Sequence, residues 1–441
     1  MPASHTADTI YQRPVELLQH LIRFDTTNPP GNEAECIAHI NSLLTQAGFT
    51  TTLIAKDPNR PNLITRMEGR GETPPLLLYG HVDVVTTAKQ QWTHPPFAGK
   101  IVNGFVWGRG ALDMKSGVTM MLTALLRAKA ERIIPARDIV LTVLSDEEAG
   151  GDYGAKYLVE EHSEHFEGIR YALGEFGGFT MYIGKQKFYP IQVAEKQMCW
   201  MKATTHGPAG HGSQPMHGGA MTKLGKLLLA LDRYSLPVHI TPVVRQMISS
   251  LASTLPFPQG FVLRQLLNPL LTNRVLKLLG ETGKSFVPLF QNTVNATIVQ
   301  GGEKVNVIPS QIVLEMDGRL LPGYTPKEMI TELRQLIGHE AELEIVRHDP
   351  VPENVDMGYF EILANILRQL DPQSHPIPLL LPAVTDGRFF SRLGIQTYGF
   401  IPMKLPKGFI FNSIIHAADE RIPIEALDFG TEAIYRLLSL K

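Results

Sequence analysis

The chain has 441 residues, more than one hydrophobic core usually supports, so two domains are expected. Apolar residues make up 44% and charged residues 19%, and 43 acidic against 41 basic side chains leave a net charge of −2. That balance is ordinary for a globular protein, and it argues against a nucleic-acid partner and against a polybasic membrane-surface patch. The two cysteines, Cys36 and Cys199, cannot build a disulfide framework and show no C-x-x-C spacing, so they read as reduced thiols. The opening stretch MPASHTADTIYQRPVELL has no basic patch followed by an apolar run, and so does not read as a signal peptide. No apolar run approaches the roughly 20 residues that cross a bilayer. The expectation is a soluble, cytoplasmic protein without nucleic-acid or membrane partners.

From Val15 the pattern VELLQHLIRF has helical spacing, and TTNPPGNE follows as a loop. EAECIAHINSLLTQAG reads as a second amphipathic helix with Gly48 as its C-terminal cap. LLLYGHVDVV after Pro75 reads as a buried strand, Lys115 to Ala130 as a helix, IVLTVLS after Asp138 as another buried strand, and Tyr153 to Glu161 as a helix. Continuous apolar strands alternating with helices imply a largely parallel sheet covered on both faces, with catalytic loops beyond the carboxyl ends of the strands. Near Pro190 the character changes. IQVAEKQMCWMKATTHG reads as one alternating strand, followed by a helical, proline-marked stretch from His217 to about Phe290. QNTVNATIVQGG and QIVLEMDGRLL read as alternating strands, PKEMITELRQLIG as a helix, and ELEIVRH as a strand. After about Asp356 the first pattern returns, ending in the helix EALDFGTEAIYRLLSL. The fold class expected is therefore α/β, a mixed, largely parallel sheet flanked by helices, with an α+β domain inserted. The expected boundaries are 1–190 and 355–441 for the first domain and 191–354 for the insertion.

Five clusters carry chemistry. In GHVD, His81 follows a buried strand. One of its ring nitrogens is available to a metal, and Asp83 is placed to accept the other N–H. In GRGALDMK, Asp113 precedes a helix, either as an N-terminal cap or as a carboxylate bridging two metals. In SDEEAGG, Asp146, Glu147 and Glu148 end another buried strand, either as a solvated loop or as a ligand beside a free base. Glu175 in ALGEFGG and His416 in FNSIIHAADE complete the set, each weak by itself. Their recurrence at the ends of successive strands is what counts, because a parallel sheet would gather them. Imidazole and carboxylate ligands suit zinc, with cobalt or manganese as alternatives. Two such ions sharing one carboxylate sit about 3.5–4 Å apart and clamp a hydrolytic water.

The stretches TTNPPGNE, GHVDVV, WTHPPFAG, GRGALDMKSG, DEEAGG, GHGSQP, NVIPSQIVLEMDGR, TDGRFF and the final His416 come in the order found in one family. The chain resembles the zinc aminoacylase, carboxypeptidase and deacetylase family of dinuclear metallopeptidases. The resemblance implies a zinc-exopeptidase-like catalytic domain with an inserted lid and dimerisation domain. It implies that His81 and Glu175 ligate one metal, Glu148 and His416 the other, and that Asp113 bridges them. Glu147 would then be the general base and Asp83 would stand behind His81. Around Glu175 the family carries an acidic residue and a glycine, where this chain has Gly174 and Phe176. The resemblance further matches His211 to an oxyanion donor contributed across a homodimer, and Asn306 and Arg319 to substrate contacts. Arg319 or Arg388 would hold a carboxylate in a bidentate fork, the other reading of each being a structural salt bridge. Residues of the insertion completing the site would imply domain closure on substrate.

AEKQMCWMKATTHGPAGHGSQP, LLNPLL, TDGRFF and the long stretch from Leu236 to Phe290 are most similar to the carboxypeptidase S and N-acyl-amino-acid hydrolase branch. That branch is often vacuolar or secreted, from which the expectation of a cytoplasmic protein departs. The activity implied is cleavage of an amide or peptide bond next to an amino-acid carboxylate, on a small peptide or N-acyl amino acid. A deacetylase or desuccinylase of a biosynthetic intermediate, a dipeptidase, and a non-catalytic peptide-binding protein on the same fold are the alternatives. SLASTLPFPQGFVLRQLL either lines an acyl or side-chain pocket or packs as a helix in the insertion.

Overall fold

A computed structural model describes residues 7–409 and 411–440, so the first six residues of the opening stretch, Ile410 and Lys441 lie outside the described residues. The chain forms two compact units. One comprises residues 1–193, 356–379 and 385–441, the other residues 194–355 and 380–384.

The larger unit is organised by a mixed sheet, nine-stranded among the described residues. From edge to edge it runs Thr51–Ile54, Asn62–Met67, Ile139–Leu144, Leu76–His81, Tyr171–Gly174, Gln396–Gly399, Gln186–Glu195 and Ser374–Leu381, with Met181–Ile183 paired to Gln186–Glu195. The four strands Ile139–Leu144, Leu76–His81, Tyr171–Gly174 and Gln396–Gly399 pair in parallel, and antiparallel neighbours flank them. LLLYGH and IVLTVL are buried at every position, as a central parallel strand covered on both faces must be. Leu77 and Tyr79 enter an apolar cluster with Val140, Leu158, Phe389 and Phe390 on one face. On the other, Gly80 lies against Met114 and Val118, at the start of the helix Lys115–Ala130. That helix is buried around most of its circumference and packs on the C-terminal helix Ile424–Leu438. Pro14–Arg23 begins with a proline, whose missing N–H has no partner to lose at a helix start, and buries Leu17, Leu18, Leu21 and Ile22.

The smaller unit has an antiparallel sheet in the order Thr293–Gln300, Gln311–Leu320, Gln197–His206, Ala341–Asp349. Its inward positions, among them Cys199, Met201, Ala203, Leu314 and Met316, pack with residues of the helices Ala220–Arg233 and Pro326–Ile337. Thr325 and Glu328 close a reciprocal capping box at the start of the second helix. The stretch from Pro242 to Phe290 forms the helices Pro242–Thr254, Gln259–Arg264, Pro269–Leu278 and Gly280–Phe290.

One expectation is corrected. IQVAEKQMCWMKATTHG is two strands, not one: Gln186–Glu195 belongs to the large sheet and Gln197–His206 to the small one. The break falls at Lys196, whose N–H bonds to Leu381 O and whose buried ammonium donates to Gln291 O and Thr293 Oγ1. No glycine or proline marks Glu195, Lys196 and Gln197, so nothing in the local sequence punctuates the break. Among the described residues no helix is long and apolar enough to cross a membrane.

At Gly174 the sheet has no room for a side chain. A Cβ there would come within 2.0 Å of the Tyr79 ring, which is itself buried against Phe390 with ring centroids 4.9 Å apart. Gly174→Ala is expected to destabilise the protein by about 1–3 kcal/mol through overpacking. An unchanged urea midpoint by circular dichroism would contradict this packing.

Candidate metal centre

The parallel register brings the chemistry together. His81 pairs with Leu144, so the segment Ser145–Glu148 leaves the sheet beside it, and Glu175 leaves the next strand after Gly174. Asp113 reaches the same place from the loop before the helix Lys115–Ala130. The residue in the N-cap position there is Met114, and no side chain caps the helix, so Asp113 is not occupied as a cap.

Two triads share Asp113. His81, Asp113 and Glu175 form one, and Asp113, Glu148 and His416 the other, each with ligand atoms within 4.8 Å of one another. His81 Nε2 lies 3.2 Å from Asp113 Oδ1 and 3.5 Å from Glu175 Oε2. His416 Nε2 lies 3.1 Å from Asp113 Oδ2 and 3.3 Å from Glu148 Oε2. Each imidazole thus takes a different oxygen of the same carboxylate. His416 sits in the left-handed backbone region, φ 59°, and its loop is pinned by Gln90, which donates to His416 O. Asp419 holds the same loop by accepting from Thr93 N–H and Oγ1.

Behind the triads lies a layer of hydrogen bonds. His81 Nδ1 is 3.0 Å from the main-chain carbonyl of Asp83 and 3.4 Å from its carboxylate. With Nδ1–H donating there, Nε2 keeps the lone pair a metal needs. The Asp83 carboxylate accepts the N–H of Glu147 and of Glu148, both at 3.1 Å, and the Asn28 amide at 2.8 Å. It therefore joins the His81 strand to the acidic loop. Asn28 also donates to Asp146, which a buried Arg60 clamps together with Glu33. Glu420, fully buried, accepts from Gly110, Leu112 and Asp113 N–H and from Arg109 at 2.7 Å, so it moulds the loop that presents Asp113. Asn28 and Glu420 lie within motifs noted in the sequence, but nothing local marks their tasks, because their partners are far along the chain.

The electrostatics fit divalent cations. Burial and the neighbouring Asp113 charge push Glu148 up to about 8. Burial, then Glu147, holds Glu175 well above the carboxylate range, and burial also raises Glu147 against the charges of His81 and Arg388. Hydrogen bonds to Asp113 and Glu148 lift His416 to about 10. Burial would lower His81, but Asp113, Asp83 and Glu175 outweigh it and raise it well above its ordinary value. Protonated imidazoles here supply positive charge that ligated cations would otherwise supply. Glu148 Oε1 and Glu175 Oε1 are buried without a hydrogen-bond partner, leaving lone pairs for an ion. Imidazole nitrogen and carboxylate oxygen are a donor set suited to such ions. The residues present fit two divalent metals. Glu147 stands half-buried on the loop of Glu148 but belongs to neither triad.

The remaining residues are placed as follows. In the smaller unit, Gly210–His211 pairs with Val307–Ile308, and Gly212 N–H bonds to Asn306 O at 2.8 Å, so His211 and Asn306 share one two-stranded ribbon. Arg319 pairs with Asp317 on its own strand, at 2.9 Å, and its other terminal nitrogen, Nη1, is buried without a partner. Arg388, in the larger unit, is buried and donates to Thr385 O and Gly150 O, which ties TDGRFF to the loop carrying Glu147. Beside it Asp386, 1% exposed, has both carboxyl oxygens without a hydrogen-bond partner. Burial, and next the charge of Glu147, raise its pKa well above the usual range. Sequence reading passed over Asp386, although it stands inside a quoted motif.

A mixed sheet with a shared-carboxylate pair of ligand triads at its parallel strand ends defines a dinuclear metal-dependent hydrolase. The sequence profile of Peptidase family M20/M25/M40 matches residues 77–440, and the chain belongs to this family. It is 26% identical to human N-fatty-acyl-amino acid synthase/hydrolase PM20D1 over 377 residues, covering 82% of this chain and 73% of that protein. It is also 26% identical to human aminoacylase-1 over 435 residues, covering 96% and 94%. Among solved structures it resembles the M20 family metallo-carboxypeptidase Sso-CP2 from Sulfolobus solfataricus, with a TM-score of 0.69 and 17% identity, covering 97% of this chain and 99% of that one.

A metal must displace a proton from His416, whose carboxylate partners raise it to about 10, while Asp113, Asp83 and Glu175 push His81 in the same direction. Apparent affinity for a divalent ion is therefore expected to climb with pH between 6 and 8, by about tenfold per pH unit for each proton released. Competition against a chromophoric chelator measures this, and a pH-independent affinity would contradict it.

Proposed function

We propose that this metal-dependent hydrolase cleaves an amide or peptide bond next to an amino-acid carboxylate, as a carboxypeptidase or N-acyl-amino-acid amidohydrolase. The observation that carries the reading is Asp113 shared between two triads, with the unligated carboxylate of Glu147 on the same loop as Glu148. The names of PM20D1 and aminoacylase-1 describe proteins acting on acylated amino acids, which supports a small substrate of that class. We assign zinc to both sites, held by His81 and Glu175, by Glu148 and His416, and by Asp113 between them; cobalt or manganese would satisfy the same donors. Bound divalent ions supply an acidified water and polarise the scissile carbonyl.

The chain's own residues do the rest. Glu147 accepts the proton of the attacking water on its carboxylate and returns it to the leaving nitrogen. Its raised pKa, caused by burial, suits a group that must both take and give a proton. Asp83 holds the main chain of Glu147 and keeps His81 in the ligating tautomer. His211 donates to the tetrahedral oxyanion across a homodimer, with Asn306 beside it. Arg319 holds the substrate carboxylate, a reading supported by its Nη1, which is buried without a hydrogen-bond partner. A homodimer gains support from the strand Thr293–Gln300, a sheet edge exposing Ile298 and Val299. The two free, buried thiols suit a reducing, cytoplasmic setting.

Glu147→Gln is expected to retain two metals per chain by elemental analysis while kcat falls by about 10²–10⁴ on the best substrate from a screen of N-acyl amino acids and dipeptides. A variant with near-native turnover would reject Glu147 as the base. Hydrolysis that persists after complete chelation would reject the metal-dependent reading.

A further inference from the structure

His211 ends the short strand Gly210–His211, and the chain turns there, with Gln214 N–H bonded to His211 O at 3.0 Å. Gly212 anchors the turn: its N–H meets Asn306 O, and a Cβ at this position would come within 3.2 Å of the Asn306 main chain. The turn carries Ser213 back over the imidazole. The Ser213 backbone N–H donates to His211 Nδ1 at 3.2 Å, and Ser213 Oγ lies 2.8 Å from the same nitrogen.

A backbone N–H can only donate, so the nitrogen it meets presents its lone pair. In neutral imidazole the hydrogen then sits on the other nitrogen. The hydroxyl can donate to Nδ1 or accept from it, so it follows the direction that the backbone N–H sets. We infer that Ser213 is a positioning residue that locks neutral His211 as the Nε2–H tautomer, leaving Nε2 to act only as a hydrogen-bond donor. This assigns the ring a role by geometry. It excludes His211 as a base or as a metal ligand through Nε2, and it suits a group aimed at an oxygen on which negative charge develops. The consequence for catalysis rests on the proposed contact of His211 with the oxyanion; the tautomer itself does not.

The test uses the full-length, zinc-loaded protein with ¹⁵N-labelled histidine, in long-range ¹H–¹⁵N spectra where His211→Gln identifies the His211 signals. Nδ1 is expected to resonate as an unprotonated nitrogen and Nε2 as a protonated one. Ser213→Ala, which keeps the backbone donor and loses the hydroxyl, is expected to lower kcat about three- to tenfold with KM within about twofold, as for one lost hydrogen bond. Ser213→Thr should restore turnover. An Nδ1–H or evenly mixed tautomer in the wild-type protein would overturn the inference. Ser213→Ala with wild-type kcat would overturn the part assigned to the hydroxyl, since the backbone N–H that fixes the tautomer is kept in that variant. Full turnover by His211→Gln would instead reject the oxyanion contact, and the wild-type spectrum would still decide the tautomer.

Discussion

Buried carboxylates repel one another, and this chain gathers Asp113, Glu147, Glu148 and Glu175 at the end of one sheet. Like charges in a low-dielectric site must gain protons or take up cations. The chain provides for both. Two imidazoles stand on opposite oxygens of Asp113, and each triad is completed by a glutamate with a partnerless buried oxygen. This mutual repulsion, answered by positive charge, governs how everything around the site is built.

A ligand set under such repulsion must be held rigidly from behind. Asp83 binds the main chain of Glu147 and Glu148 while facing His81, so one carboxylate couples the acidic loop to the first histidine. Glu420 does the same for the Asp113 loop by accepting three consecutive-segment N–H groups and a buried arginine. Asn28 and Arg60 extend the brace to Asp146, the left-handed residue that starts the acidic turn. Few of these atoms would touch a substrate. Their contribution is to keep ligand atoms within a few tenths of an ångström of where an ion needs them.

Much of the architecture was legible along the chain. LLLYGH and IVLTVL are uninterrupted apolar runs because both faces of a central parallel strand are covered, and that pattern needs no tertiary knowledge to read. Helix Lys115–Ala130 showed its length through its composition in the same way. The break at Lys196 was not legible. No glycine or proline separates Gln186–Glu195 from Gln197–His206, and the hydrogen bonds of Lys196 to Leu381, Gln291 and Thr293 stand where the two sheets part. Arg388 was equally ambiguous: a guanidinium that binds a ligand and one that binds carbonyls look alike in sequence. Its burial on Thr385 O and Gly150 O is a property of the packed chain.

The sequence by itself determined which residues could ligate, since His81, Asp113, Glu148, Glu175 and His416 follow or face the ends of recognisable elements and chemistry restricts metals to such side chains. It also determined that a parallel sheet would collect them. Tertiary structure alone decided that Asp113 serves both imidazoles at once, and that the N–H groups of Glu147 and Glu148 converge on Asp83. It alone decided that Ser213 faces Nδ1 of His211. The physical reason is common to all three. Residue type and local periodicity are short-range properties, whereas the sharing of a carboxylate oxygen or a ring nitrogen depends on distances of about 3 Å between segments that only folding brings together.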